Sequence, residues 1–208
     1  MKDVVLVDYG CGNIFSLIKA IEVCGARVHL TRDPEKIMSA KQLVLPGVGA
    51  FGHCRDRIYQ YGLQEPLFEA ARKGTSILGI CVGMQMFLSV SCEQGMHEGL
   101  NLISGKVEKI DNKNENYKKK VPFIGWSKLE MNSSAVNTWL NQFEGQWFYF
   151  VHSYFAKPNN QKEVLSYYDY YSDKITAIVA RDNIIGCQFH PEKSGPSGLN
   201  FLSHFLKM

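Results

Sequence analysis

Val4-Val5-Leu6-Val7-Asp8-Tyr9-Gly10-Cys11-Gly12-Asn13-Ile14-Phe15-Ser16-Leu17-Ile18-Lys19-Ala20-Ile21-Glu22-Val23-Cys24-Gly25 reads as strand, loop and helix in one run. Residues 4–7 are a short apolar, β-rich segment ending at Asp8, and Tyr9-Gly10-Cys11-Gly12-Asn13 supplies turn chemistry. Ile14, Leu17, Ile18 and Ile21 then recur at three- and four-residue spacing, and Gly25 stands where a helix C-terminal cap belongs. Outward from there the pattern repeats: residues 28–30 predict a strand, 34–40 a short helix, 43–45 a strand, 58–73 helical stretches and 76–80 another buried strand. A crossover between parallel strands needs the length that a helix provides, so the alternation predicts a doubly wound, three-layer α/β sheet, mostly parallel.

The second half changes character. Apolar β-type runs at 106–110, 147–151, 164–168, 175–180 and 184–189 are separated by polar loops, which predicts antiparallel strands extending or flanking the sheet. Residues 198–206 return to helical spacing through Leu199, Leu202 and Leu206. With 208 residues and 45% hydrophobic content, one domain spanning 1–208 is expected.

A formal net charge of +3 is too small a bias for nucleic acid to be the main partner. The one dense basic run, Lys118-Lys119-Lys120, reads as a solvated loop bordering a partner surface. No segment reaches the apolar length of a membrane span and the first residues do not form a signal peptide, so a cytoplasmic chain is expected. Six cysteines scattered through apolar and helical contexts read as free thiols rather than a disulfide framework. Neither Cys-x-x-Cys nor His-Glu-x-x-His spacing occurs, and no phosphate-loop or dinucleotide fingerprint; neither metal nor cofactor is expected.

Three segments carry chemistry. Ile77-Leu78-Gly79-Ile80-Cys81-Val82-Gly83-Met84-Gln85 places a cysteine between two glycines, after a buried strand and before a helix, the layout of a nucleophile elbow. The glycines allow close backbone approach, and the positive end of the following helix favours a thiolate at Cys81. Gly186-Cys187-Gln188-Phe189-His190-Pro191-Glu192 ends a strand-like run in a histidine with an acid two residues on. His190 can act as a base, with Glu192 holding its other ring nitrogen and fixing the tautomer. Cysteine, base and orienting acid are the parts of an activated thiol. Leu45-Pro46-Gly47-Val48-Gly49-Ala50-Phe51 is a glycine-rich loop after a strand, suited to aiming backbone N–H groups at an oxyanion. The other cysteines have packing roles: Cys24 lies in a helix, Cys54 begins one, and Cys187 alternates away from His190 along its strand.

In this order Asp8-Tyr9-Gly10-x-Gly12-Asn13, the 45–51 loop, Leu78-Gly79-Ile80-Cys81-x-Gly83-Met84-Gln85, Gly125-Trp126, Tyr149-Phe150-Val151-His152-Ser153-Tyr154 and Gln188-Phe189-His190-Pro191-Glu192-Lys193-Ser194-Gly195 cover nearly the whole chain. The chain thereby resembles the class I, or triad, glutamine amidotransferases, and among them the glutaminase subunits of imidazole glycerol phosphate synthases. The resemblance implies Cys81 as nucleophile, His190 as general base and Glu192 as its orienter. It implies glutamine as substrate, held by Gln85, Glu93, His152, Ser153, Tyr154 and the Gly49 backbone, with oxyanion donors at Val48, Gly49 and Val82. It further implies a heterodimer with a (β/α)8-barrel synthase, or cyclase, subunit that consumes the ammonia in histidine synthesis, and places Asn13, Trp126, Tyr149 and Lys193 at that interface. Gln85, four residues after Cys81, would share its helical face. Three other readings stay open: a similar glutaminase serving sugar amidation in surface-glycan synthesis, a free-standing cysteine hydrolase of γ-glutamyl compounds, and a non-catalytic regulatory module.

Overall fold

A computed structural model describes residues 2–111, 119–136 and 138–208. In chain order the first half is β1 (Lys2–Val7), α1 (Ile14–Val23), β2 (Ala26–Thr31), α2 (Pro34–Met38), β3 (Gln42–Leu45), α3 (Phe51–Gln60), α4 (Gln64–Arg72), β4 (Ser76–Ile80) and α5 (Val82–Gln85). The second half holds β5 (Val90–Ser91), β6 (His97–Glu98), β7 (Gly105–Lys109), β8 (Phe123–Lys128), β9 (Glu130–Met131), β10 (Trp147–His152), β11 (Tyr154–Pro158), β12 (Val164–Tyr170), β13 (Asp173–Arg181), β14 (Ile184–Cys187) and α6 (Gly195–Phe205).

Among the described residues the large sheet has eight strands in the order β2-β1-β3-β4-β14-β13-β12-β9. The first five are parallel to one another, and β13, β12 and β9 continue the sheet antiparallel. Antiparallel strands both extend the sheet and flank it, since β10 with β8 and β11-β7-β5-β6 form separate sheets; the 184–189 run departs from that expectation, because β14 pairs parallel with β4 and belongs to the parallel set. Strand order steps one way from β1 to β2 and the other way from β2 to β3. Right-handed crossovers therefore put α1 and α2 on opposite faces, and α1 packs with α6 while α2 packs with α4. Leu43, Val44, Leu45 and Leu78 are wholly buried, as strands covered on both faces require.

Helix α3 begins at Phe51, earlier than the helical reading from residue 58 and ahead of Cys54, its fourth residue. Ala50 offers no side-chain cap. The backbone N–H of Phe51 donates instead to Glu93 Oε2 at 2.8 Å, a cap supplied from 42 residues away. The six cysteines are unpaired, and burial raises the pKa of Cys11, Cys24, Cys54 and Cys187, which keeps them thiols.

The basic run departs from its reading as a solvated loop. Lys119 is 4% exposed and pairs with Asp173, and the Lys120 carbonyl accepts from Tyr170 Oη; Lys118 lies outside the described residues. No helix among the described residues is long and apolar enough to cross a membrane.

Candidate active site

Ligands of doubly wound sheets bind at the carboxyl ends of the parallel strands, near the point where strand order reverses. Here that point lies between β1 and β3, and the loops after β1, β3, β4 and β14 carry the sequence motifs. Cys81 follows β4 with φ 54 and ψ −111, left-handed backbone that a non-glycine residue adopts only under constraint. Close packing of two backbones supplies it. A Cβ on Gly83 would lie 2.0 Å from the Leu45 carbonyl oxygen, and one on Gly47 2.4 Å from the Gly83 nitrogen. The loop after β3 and the elbow are thus pressed together where only glycine fits. Cys81 N–H donates to Cys187 O at 2.7 Å, tying the elbow to β14.

His190 follows β14 and is clamped by its backbone. Its N–H donates to Tyr149 O at 2.9 Å, its carbonyl accepts from Ser194 Oγ at 2.7 Å, and Ser194 Oγ accepts from Tyr149 N–H at 3.0 Å. The imidazole Nδ1–H donates to Glu192 Oε1 at 2.9 Å, and both side chains are 2% exposed. Nε2, like the second oxygen of Glu192, is buried without an aligned hydrogen-bond partner. A buried ring nitrogen left open is unusual outside functional sites. Burial by itself would lower the pKa of His190, but hydrogen bonds and charge interactions with an ionised Cys81 and the Glu192 carboxylate outweigh it and raise it to about 10. The Glu192 carboxylate on Nδ1 thus favours an imidazolium beside Cys81, the arrangement in which a thiolate is stabilised.

Cys81 and His190 open onto a cleft of about 260 Å³. The structure brings Val48, Gly49, Val82, Gln85, Glu93, His152, Ser153 and Tyr154 to its walls, with Pro122 and Val151, which the sequence reading did not single out. Gly49 has φ +104, a backbone state that suits glycine. Gln85 Nε2 donates to Tyr154 O at 2.8 Å and to Gln188 Oε1 at 3.0 Å, so both of its amide hydrogens are committed and Oε1 alone is left for a ligand. His152 Nδ1–H donates to the same Tyr154 carbonyl at 2.8 Å, and its Nε2 accepts from Tyr168 Oη at 2.8 Å. Burial holds His152 down at about 4, assisted by the charge on His190 and opposed by the Tyr154 bond.

Outside the cleft, β8 pairs with β10. Trp126, 49% exposed, meets Tyr149 edge-on at 5.9 Å between ring centroids, and Lys193 Nζ lies 5.9 Å from the Tyr149 ring centroid. Asn13 heads α1, half-buried and without a side-chain capping bond. Phe123 at the start of β8 packs on Tyr168 at 5.1 Å, in an aromatic layer with Phe150 and Tyr170.

One reading changes at this level. Helix α5 is a single turn of four residues, so its dipole is a minor source of help to a Cys81 thiolate. Gln188, wholly buried, donates from Nε2 to Cys81 Sγ at 3.5 Å, a contact that the sequence motifs do not announce. It lies just beyond the end of β14, two residues before His190.

Over residues 5–208 the chain matches the family described as Glutamine amidotransferase class-I. It is similar to the imidazole glycerol phosphate synthase subunit HisH 1 of Legionella pneumophila strain Paris, 42% identical over the whole of both chains. It is also similar to the HisH subunit of Synechococcus elongatus, at 36% identity over 98% of this chain and 92% of that protein. A crystal structure of a glutamine amidotransferase superposes with a TM-score of 0.73 at 17% identity, covering 98% of this chain and 99% of that one. The glutaminase domain of Trypanosoma brucei CTPS with bound acivicin gives 0.64 at 16% identity, covering 100% and 94%. At such identity the two structures speak for the fold alone.

Proposed function

This chain belongs to the class I glutamine amidotransferases, and from that premise we propose that Cys81, His190 and Glu192 release ammonia from glutamine for a (β/α)8-barrel synthase subunit that forms imidazole glycerol phosphate. One observation carries the chemistry: the elbow cysteine shares a cleft with a buried histidine whose Nδ1 is held by Glu192 and whose Nε2 is unpartnered.

The Cys81 thiolate attacks the carboxamide carbon of glutamine, and the carbonyl π electrons move onto oxygen. Backbone N–H groups of Val82 and the Val48–Gly49 loop receive that oxyanion, each donor contributing about 3 kcal/mol. Collapse of the intermediate expels the amine, which takes the Nε2 proton of His190 and leaves as ammonia. His190, now neutral, removes a proton from water attacking the glutamyl thioester, and the sulfur departs as thiolate. Glutamate leaves and the imidazolium is restored. Throughout, Glu192 keeps the Nδ1 proton in place and offsets the ring's charge. Gln85, Glu93 and the His152-Ser153-Tyr154 segment hold the substrate, with Glu93 facing its ammonium.

Ammonia released into water is protonated and diluted, so the reaction serves synthesis only when a consuming subunit is docked. The partly exposed Trp126 and Tyr149 rings, with Lys193 alongside and Asn13 at the head of α1, suit that docking surface. The pathway rests on the full-length relatives, which are subunits of imidazole glycerol phosphate synthase. In this reading the chain works as one cytoplasmic domain.

Cys81→Ala tests the assignment. Glutamine hydrolysis is expected to vanish while the circular dichroism spectrum and capture of the barrel subunit from cell extract are retained. Glutamine-dependent activity at the wild-type rate would overturn it, and capture of a sugar-amidating partner would replace the pathway.

A further inference from the structure

Gln188 is 0% exposed and stands between Gln85 and the Cys81 sulfur. The two ends of an amide have nearly the same shape, so the surrounding network must decide which end faces sulfur. The Tyr154 carbonyl can only accept. Gln85 must therefore turn its NH₂ toward it, at 2.8 Å. The second hydrogen of that NH₂ points to Gln188 at 3.0 Å, which requires the Gln188 oxygen on that side. The NH₂ of Gln188 is thereby left facing Cys81 Sγ, at 3.5 Å. The same carbonyl sets the polarity in the other direction: His152 donates to it from Nδ1, so Nε2 accepts from Tyr168 Oη. Hydrogen bonds of fixed polarity thus link β12, β10, β11 and the elbow, with His152 and Gln85 both donating to the Tyr154 carbonyl at their centre.

We propose that Gln188 is a positioning residue that donates a hydrogen bond to the Cys81 sulfur and, with His190, makes the thiolate the resting state of the enzyme. A thiol facing this N–H must turn its own hydrogen elsewhere, toward His190, whereas a thiolate accepts from both. Hydrogen bonding to the charged form favours that form. With only one helical turn after Cys81, this side-chain donor supplies what a longer helix would provide through its dipole. Glu192 acts on the ring, Gln188 on the sulfur. The role rests on Cys81 being the nucleophile of the proposed reaction.

The test is the pH dependence of Cys81 alkylation by iodoacetamide in the full-length chain, followed by mass spectrometry of the Cys81 peptide so that the other cysteines do not contribute. Gln188→Leu removes the donor, and Gln188→Glu keeps the size of the side chain while placing a second acceptor at the sulfur. The midpoint is expected to rise by about one pH unit in Gln188→Leu and by more in Gln188→Glu. A residue that only packs would slow alkylation equally at every pH. A midpoint unmoved in whichever variant folds overturns the proposal, even where wild-type hydrolysis depends on Cys81. Wild-type hydrolysis that persists in Cys81→Ala would instead remove the underlying reading.

Discussion

Acidification should destabilise this protein through His152, and by a magnitude that can be worked out. Folded, the ring is buried, donates to Tyr154 O and accepts from Tyr168 Oη, and its pKa is held down at about 4. Unfolded, it returns to roughly 6.5. Between those values the unfolded chain binds a proton that the folded chain refuses, so stability falls as pH drops through the window from about 6.5 to about 4. From pH 7 to pH 5 this one group costs about 2 kcal/mol, approaching about 3 kcal/mol below pH 4. His190 does not mask the effect. Its folded pKa is raised to about 10, so its contribution is fully present below roughly 6.5 and is lost only as pH rises toward 10. Urea denaturation of the wild type and of His152→Asn at pH 7 and pH 5 isolates this contribution. The variant is the less stable at pH 7, and its deficit should shrink by about 2 kcal/mol at pH 5. An equal deficit at both pH values would refute a neutral, buried His152.

Glu192→Gln can still accept from Nδ1–H but no longer offsets the charge on the ring, so glutaminase kcat should fall roughly 10²–10⁴-fold while staying above that of Cys81→Ala. A loss equal to that of the nucleophile variant, with folding unchanged, would contradict the ranking. Gly83→Ala forces a Cβ to 2.0 Å from Leu45 O, and the displaced backbone should cost about 1–3 kcal/mol in urea titrations and disturb the elbow as well. Wild-type stability in that variant would show that the two loops are less tightly apposed. Glutamate release by the isolated chain should be slow and rise by roughly 10²–10³-fold with the barrel subunit and its ligand, the worth of one oxyanion donor brought into aim by the Gly49 loop. Equal and fast turnover in every condition would reject coupling.

Parallel strands β1 to β4 were legible because they are short, rich in apolar residues and separated by helices with local signals, whereas β14 read with the antiparallel runs because no helix separates it from β13. The first turn of α3 was not legible, since its cap is Glu93 and no local residue announces it. Strands β5, β6 and β9 have two residues each, too few for any periodicity. In β8 the glycine and serine beside Trp126 dilute the apolar alternation. Lys119 read as solvated because its partner, Asp173, is 54 residues away. Within the site, the local motifs announced Cys81, His190 and Glu192, whereas Gln188 acquires meaning only through Gln85 and Tyr154, from two other elements. Spacing exposes a triad, but the polarity of a hydrogen-bond chain exists only once distant strands meet.

Strand β10 alternates strictly: Phe148, Phe150 and His152 are buried, while Trp147, Tyr149 and Val151 are more open. Tyr149 holds His190 through its carbonyl and presents its ring to Trp126 and Lys193 outside. Because side chains alternate with a period of two, inserting or deleting one residue here would exchange the two faces at once. The outward aromatic would turn into the core, and a buried histidine would turn to solvent. Evolution can therefore retune this segment by substitution but not by changing its length, so single-residue insertions in β10 should be far rarer among functional variants than insertions in the neighbouring loops.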